Sequence, residues 1–204
     1  EAAGLDLTDV RPRAVEALRE AGDRAWALAS VTRAARFYRR ALDAMPAEEA
    51  DPELRFLYGR ALMWAEGVGG DPAPDLEAAI DGLIGAGRTE LAAVAVMTLD
   101  RLLWNRTTPR PGLHDQALAL VVDAGPSAAR CQVLSEVTAS WAIRGRAEEA
   151  LSLGEEAVAI ARARGDRAAE AHALNSLGIA QAGADRLEEG VASVTRALAL
   201  ALEM

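Results

Sequence analysis

Apolar and polar residues along this chain follow a helical rhythm that glycine and proline break at regular intervals. In the segment 171–181 (AHALNSLGIAQ), Leu174, Leu177, Gly178 and Gln181 fall on one side of a helix turning about 100° per residue. His172, Asn175, Ser176 and Ile179 form a stripe on the other side. The longer breakers are MPAEEADP (45–52), GVGGDPAPD (67–75), RTTPRPGL (106–113), AGPS (124–127), RGDR (164–167) and AGADR (182–186). Shorter turns fall at ASVT (29–32), GAGR (85–88) and RGR (144–146). Between them the pattern predicts ten helices, paired as five hairpins. No window shows sustained β-branched alternation, so essentially no strand is expected.

The helices carry an internal repeat. Trp26, Trp64, Trp104 and Trp141 are separated by 38, 40 and 37 residues, and a further 40 leads to Gln181. A second series follows each of them, with a small residue, a residue four on, and an alanine three further. It runs Ala34/Tyr38/Ala41, Ala79/Leu83/Ala86, Ala117/Val121/Ala124, Ala150/Gly154/Ala157 and Gly190/Val194/Ala197. Spacings of four and three keep each triplet on one helical face, where a small residue lets a neighbouring helix come close. The tryptophans, near the ends of the first helices, are expected to be buried between hairpins. Gln181, in place of a tryptophan, predicts looser packing in the last hairpin.

These positions resemble the tetratricopeptide repeat (TPR), a helix–turn–helix unit of roughly 34 residues. In 171–204, Leu174, Leu177, Gly178, Gly190, Val194 and Ala197 match the family's helix-packing positions. The unit 131–164 keeps Leu134, Val137, Trp141, Ala150 and Ala157, and the first unit keeps Leu18, Gly22, Ala34, Tyr38, Ala41 and Pro46. The resemblance implies an all-α fold, a right-handed α-α superhelix of about five TPR-like hairpins. It forms a single array with approximate units 12–46, 53–87, 88–125, 127–165 and 167–204. It also implies that the exposed face of each first helix lines a concave groove. Carried over residue by residue, that puts Gln132, Ser135 and Ala139 in the groove from one unit, and His172, Asn175 and Ile179 from the next.

The wording of two segments, AGDRAWALASVTRAARFYRRALDAMP and GDRAAEAHALNSLGIAQAGADRLEEGVASVTRALALA, resembles repeat arrays of large bacterial multidomain regulators. In those families a nucleotide-binding switch domain precedes the array, sometimes with a LuxR-type DNA-binding domain or a cyclase domain. This implies a sensor or scaffold arm in signal transduction or transcriptional regulation. Its partner is then a protein, a peptide or an effector, the parent chain's own switch domain included. The chain begins at Glu1 and stops within the helical pattern of ALALALEM, which reads as a piece of a longer protein.

Composition narrows the chemistry. The 22 basic residues are all arginine against 31 acidic ones, for a net charge of −9. An acidic surface disfavours nucleic acid and anionic membranes, and no apolar run approaches the length of a membrane span. Without lysine there is no phosphate-loop lysine and no Schiff base. The one cysteine, Cys131, forms no internal disulfide and reads as a packing residue of a cytoplasmic protein. Two histidines, His114 and His172, offer no metal set with ligand-like spacing, and each reads as a surface residue.

No catalytic constellation emerges. His172, Asn175 and Ser176 project in parallel from one helix and cannot converge as a triad. GVGGDPAP (67–74) lacks the ending of a phosphate loop and reads as a turn. Arg164-Gly165-Asp166 reads as a helix end followed by the next N-cap, and Asn105-Arg106-Thr107 is a glycosylation sequon only in a secreted eukaryotic protein. The sequence therefore predicts an interaction or sensor module with no cofactor and no metal. Two alternatives are self-association through a C-terminal helix made apolar by Leu198, Leu200 and Leu202, and a small-molecule-binding regulatory domain.

Overall fold

The computed structural model describes residues 7–46, 49–65 and 69–204. Part of the 45–52 breaker, and Gly67 and Val68 of the glycine-rich stretch, lie outside the described residues. Among the described residues are ten α-helices and no strand, as the helical rhythm predicts. None of these helices is long and apolar enough to cross a membrane. The chain divides into two compact units, Glu1–Pro109 and Arg110–Met204.

The first unit holds α1 (Leu7–Ala27), α2 (Val31–Asp43), α3 (Pro52–Trp64), α4 (Pro72–Gly85) and α5 (Thr89–Asn105). Aspartates start two of these helices: Asp51 accepts the Glu53 amide and Asp71 the Ala73 amide, each followed by a proline at the first helical position. Ala34, Tyr38 and Ala41 of α2 are fully buried. The Tyr38 ring covers Gly22 of α1 so closely that a Cβ there would lie 2.4 Å from Cε1. Arg19 of α1 then reaches across to the start of α3, bonding Asp51 at 3.1 Å and Glu53 at 2.6 Å.

The second unit holds α6 (Leu113–Val121), α7 (Ala128–Ile143), α8 (Ala147–Arg164), α9 (Arg167–Gly183) and α10 (Leu187–Leu202). Arg130 of α7 donates to the carbonyls of Val121, Val122 and Ala124 as well as to Glu156, closing the open end of the short α6. The turn at 164–167 behaves as its residues predict. Gly165 ends α8 in the left-handed region at φ 64°, and the Asp166 carboxylate accepts the Ala169 amide to start α9.

α9 and α10 meet almost backbone to backbone. A Cβ on Gly178 would lie 2.9 Å from the Gly190 carbonyl oxygen, and one on Gly190 would lie 2.8 Å from the Gly178 carbonyl oxygen. Only glycine at both positions permits this approach. Gln181 does not leave the expected slack beside it. It is buried, and its Oε1 accepts the Ser193 hydroxyl at 2.7 Å.

The tryptophans are placed otherwise than their spacing predicts. Trp141 is buried and Trp26 half-buried, but Trp64 is 48% and Trp104 is 44% exposed. The buried place falls three residues after each helix's small contact residue. Ala25 follows Gly22, Leu62 follows Gly59, Trp141 follows Thr138 and Gln181 follows Gly178, and all four followers are buried. Trp64 stands two residues past Leu62, about 200° round the helix, and so turns outward.

Candidate functional site

The predicted contact residues lie on α7 and α9, the first helices of two successive hairpins. A cavity of about 250 Å³ opens between the N-terminal halves of these helices. It is lined by Cys131, Gln132 and Ser135 of α7, and by Asp166, Ala169 and His172 of α9 and its cap. Three of the residues drawn from the sequence, Gln132, Ser135 and His172, are thus brought together. Asn175 is exposed, and Ala139 and Ile179 are half-buried on the same two helices, but none of the three lines the cavity.

Ser135 differs from its expectation. It is fully buried rather than presented at the surface. Its hydroxyl donates to the Cys131 carbonyl one turn back at 2.8 Å, and this internal bond lets a serine sit inside without a lost partner. Ser176 likewise turns inward, although the stripe with His172 placed it outside; its Oγ is buried with no hydrogen-bond partner.

Around the cavity the polar groups are mostly engaged. Gln132 Nε2 donates to Glu136 at 2.9 Å. Cys131 Sγ donates to the Ala157 carbonyl at 3.3 Å, and burial pushes its thiol pKa up, with the Ser135 hydrogen bond opposing. A thiol held in its neutral form is a poor nucleophile, so the cavity has no activated sulfur. His172 is exposed at the rim. From the sequence, Asp166 and Cys131 read only as a cap and a packing residue. Their place in the cavity depends on α7 and α9 standing side by side, which no local signal reveals.

His114 is not at the surface, contrary to expectation. It is buried in α6, and its Nδ1 accepts the Trp141 indole N–H at 3.0 Å with the two rings at 72°. Arg146 lies over a face of the indole, its guanidinium carbon 3.9 Å from the ring centroid. A buried tryptophan needs an acceptor for its N–H, and this histidine supplies it. Among the described residues no group of three or more His, Cys, Asp or Glu is gathered closely enough to hold a metal ion.

Comparison with solved structures agrees with this helix-by-helix packing. BtubC (BKLC) from P. vanneervenii is similar to this chain at a TM-score of 0.65 and 20% identity, over 96% of this chain and 90% of that one. A Podosopora anserina putative kinesin light chain with nearly identical TPR-like repeats matches at 0.65 and 16%, over 93% and 95%. The MamA protein matches at 0.56 and 18%, over 93% and 92%. The fold is that of the all-α, TPR-like repeat proteins. No family model matches the sequence, and no curated protein matches it either.

Proposed function

We propose that this protein is an interaction module that holds a segment of a partner protein against α7 and α9. The observation that carries this reading is the cavity in which Gln132, Ser135 and His172 converge from the first helices of successive hairpins. Rigid helices set the spacing of these side chains, while the exposed Gln132, His172 and Asn175 are free to vary with the partner. The TPR-like fold, shared with solved structures of low identity, supplies a repeat scaffold for such contacts. In the regulatory setting implied by the sequence resemblance, a bound segment or effector would bias an attached switch domain between two states.

Selection of displayed peptides against the protein tests this. Peptides that bind it are expected to lose at least ten-fold in affinity on Gln132→Ala or His172→Ala. Peptides whose binding survives both substitutions would place the contact surface elsewhere.

A second reading, self-association, rests on α10. Leu187, Val191, Val194, Leu198 and Leu202 form one exposed apolar stripe, whereas Leu200 is buried in the hairpin. About a midpoint between Val194 and Thr195, Leu187 mirrors Leu202 and Val191 mirrors Leu198, the symmetry an antiparallel pairing of two copies requires. Sedimentation at high concentration tests it: dimers that Leu198→Glu dissociates support it, and a strict monomer overturns it.

A further inference from the structure

Arg60, at the centre of α3, stands apart from the other half-buried arginines. Arg19 and Arg130 are tied to carboxylates. The Arg60 Nε is buried and has no hydrogen-bond partner, and no described residue forms an ion pair with its guanidinium. Two rings hold it instead: its guanidinium carbon lies 4.2 Å from the Trp26 centroid and 5.2 Å from that of Phe56. Asp23 acts on it electrostatically, but that carboxylate already accepts the Tyr38 hydroxyl at 2.7 Å.

A charge partly withdrawn from water, with no ion-pair partner among the described residues, is costly, so its retention calls for a reason. Burial pulls the Arg60 pKa down, which records the same cost. The face remains open. Arg60 and Trp26 are only half-buried, and Trp64, one turn further along α3, is exposed. Stacking between rings fixes the plane of the guanidinium before anything binds, so little further ordering is needed. Its fork of N–H donors matches a carboxylate in size and geometry. The nearby Asp23 repels a doubly charged phosphate more than a singly charged carboxylate.

We propose that Arg60, held between Trp26 and Phe56, is the receptor for a carboxylate group, with the Trp64 ring as the apolar surface beside it. This position belongs to the first unit and stands independently of the α7–α9 cavity. The carboxylate comes either from a free organic acid or from an acidic residue of a peptide; the chemistry at the guanidinium is the same for both.

Titration of the protein with sodium acetate, sodium phosphate and the blocked tripeptides Leu-Glu-Leu and Leu-Gln-Leu separates the cases. The readouts are the Nε–H resonance of Arg60, assigned by its loss in Arg60→Gln, and tryptophan fluorescence. Acetate and Leu-Glu-Leu are expected to shift both signals saturably, with phosphate and Leu-Gln-Leu at least ten-fold weaker. Leu-Glu-Leu binding at least ten-fold tighter than acetate identifies a peptide as the source, and equal affinities identify a free acid. Arg60→Gln, checked for unchanged helicity, is expected to lose at least ten-fold. Arg60→Lys, which keeps the charge without the planar fork, is expected to lose at least five-fold. The proposal is overturned if no carboxylate shifts the Arg60 resonance, if phosphate binds as well as acetate, or if either variant binds like the native protein.

Discussion

α8 and α10 occupy the same place in successive hairpins, yet the same face is buried in one and bare in the other. Ala147, Leu151, Gly154 and Val158 are buried on α8, where α9 lies against them. Forty residues on, Leu187, Val191, Val194 and Leu198 are all exposed, and of these only Val194 touches α9, over Gly178. Val158 is 5% exposed and Leu198 is 58%. The exposed face, with leucine or valine at all four places, is more apolar than the buried one, where alanine and glycine take two of them. Burial in a repeat is therefore a property of the neighbour, and a helix's own pattern shows only that a neighbour is wanted.

Equivalent substitutions on the two helices break the comparison most sharply. Val158→Glu buries an unpaired charge and is expected to cost about 4 kcal/mol, read as the urea midpoint of the helical circular-dichroism signal. A cost close to zero would show that α9 does not cover α8 in solution. Trp141→Ala, which empties the indole site and strands the His114 acceptor, is expected to cost about 3–5 kcal/mol in the same assay. Between α9 and α10 the contact is backbone on backbone, so Gly178→Ala should cost about 2 kcal/mol despite alanine's better helix propensity. Unchanged stability there would mean that the two helices stand further apart.

Ser193→Ala leaves the buried Gln181 Oε1 without its donor and should cost about 1 kcal/mol by thermal melting. The smallest effect belongs to α10. Leu198→Glu should change the stability of the monomer by less than about 0.5 kcal/mol, because the side chain is already in water. A large loss that depends on protein concentration would instead reveal a partner on that face.

The helices and their ends were legible because their signals are local. Proline at the first position of α3 and α4, Gly165 at the end of α8, and the Asp166 cap each act within a few residues of themselves. The triplet Ala34/Tyr38/Ala41 was legible because a helical face is a matter of spacing. What depends on a distant partner was not legible. Trp64 and Trp104 repeat at nearly the same interval as Trp141, but a slip of one or two residues turns a ring from the core to the solvent. His114 looked like a surface residue because nothing in its own surroundings announces the Trp141 indole 27 positions away. Of the candidate site, the exposure of Gln132 and His172 agrees with what the repeat resemblance implied, whereas Ser135 turns inward with its hydroxyl bonded to its own helix. That no described residue forms an ion pair with Arg60 has no sequence signature at all.

Cys131 lends this chain a clock. Its sulfur is buried and hydrogen-bonded to the Ala157 carbonyl of the facing helix, and it is the only thiol in a sequence that also lacks lysine. A thiol reagent can therefore attack one side chain alone, and only while α7 moves away from α8 or α9 and uncovers the buried sulfur. The rate of that single reaction counts the openings of the second unit, in a protein that needs no label added to report them.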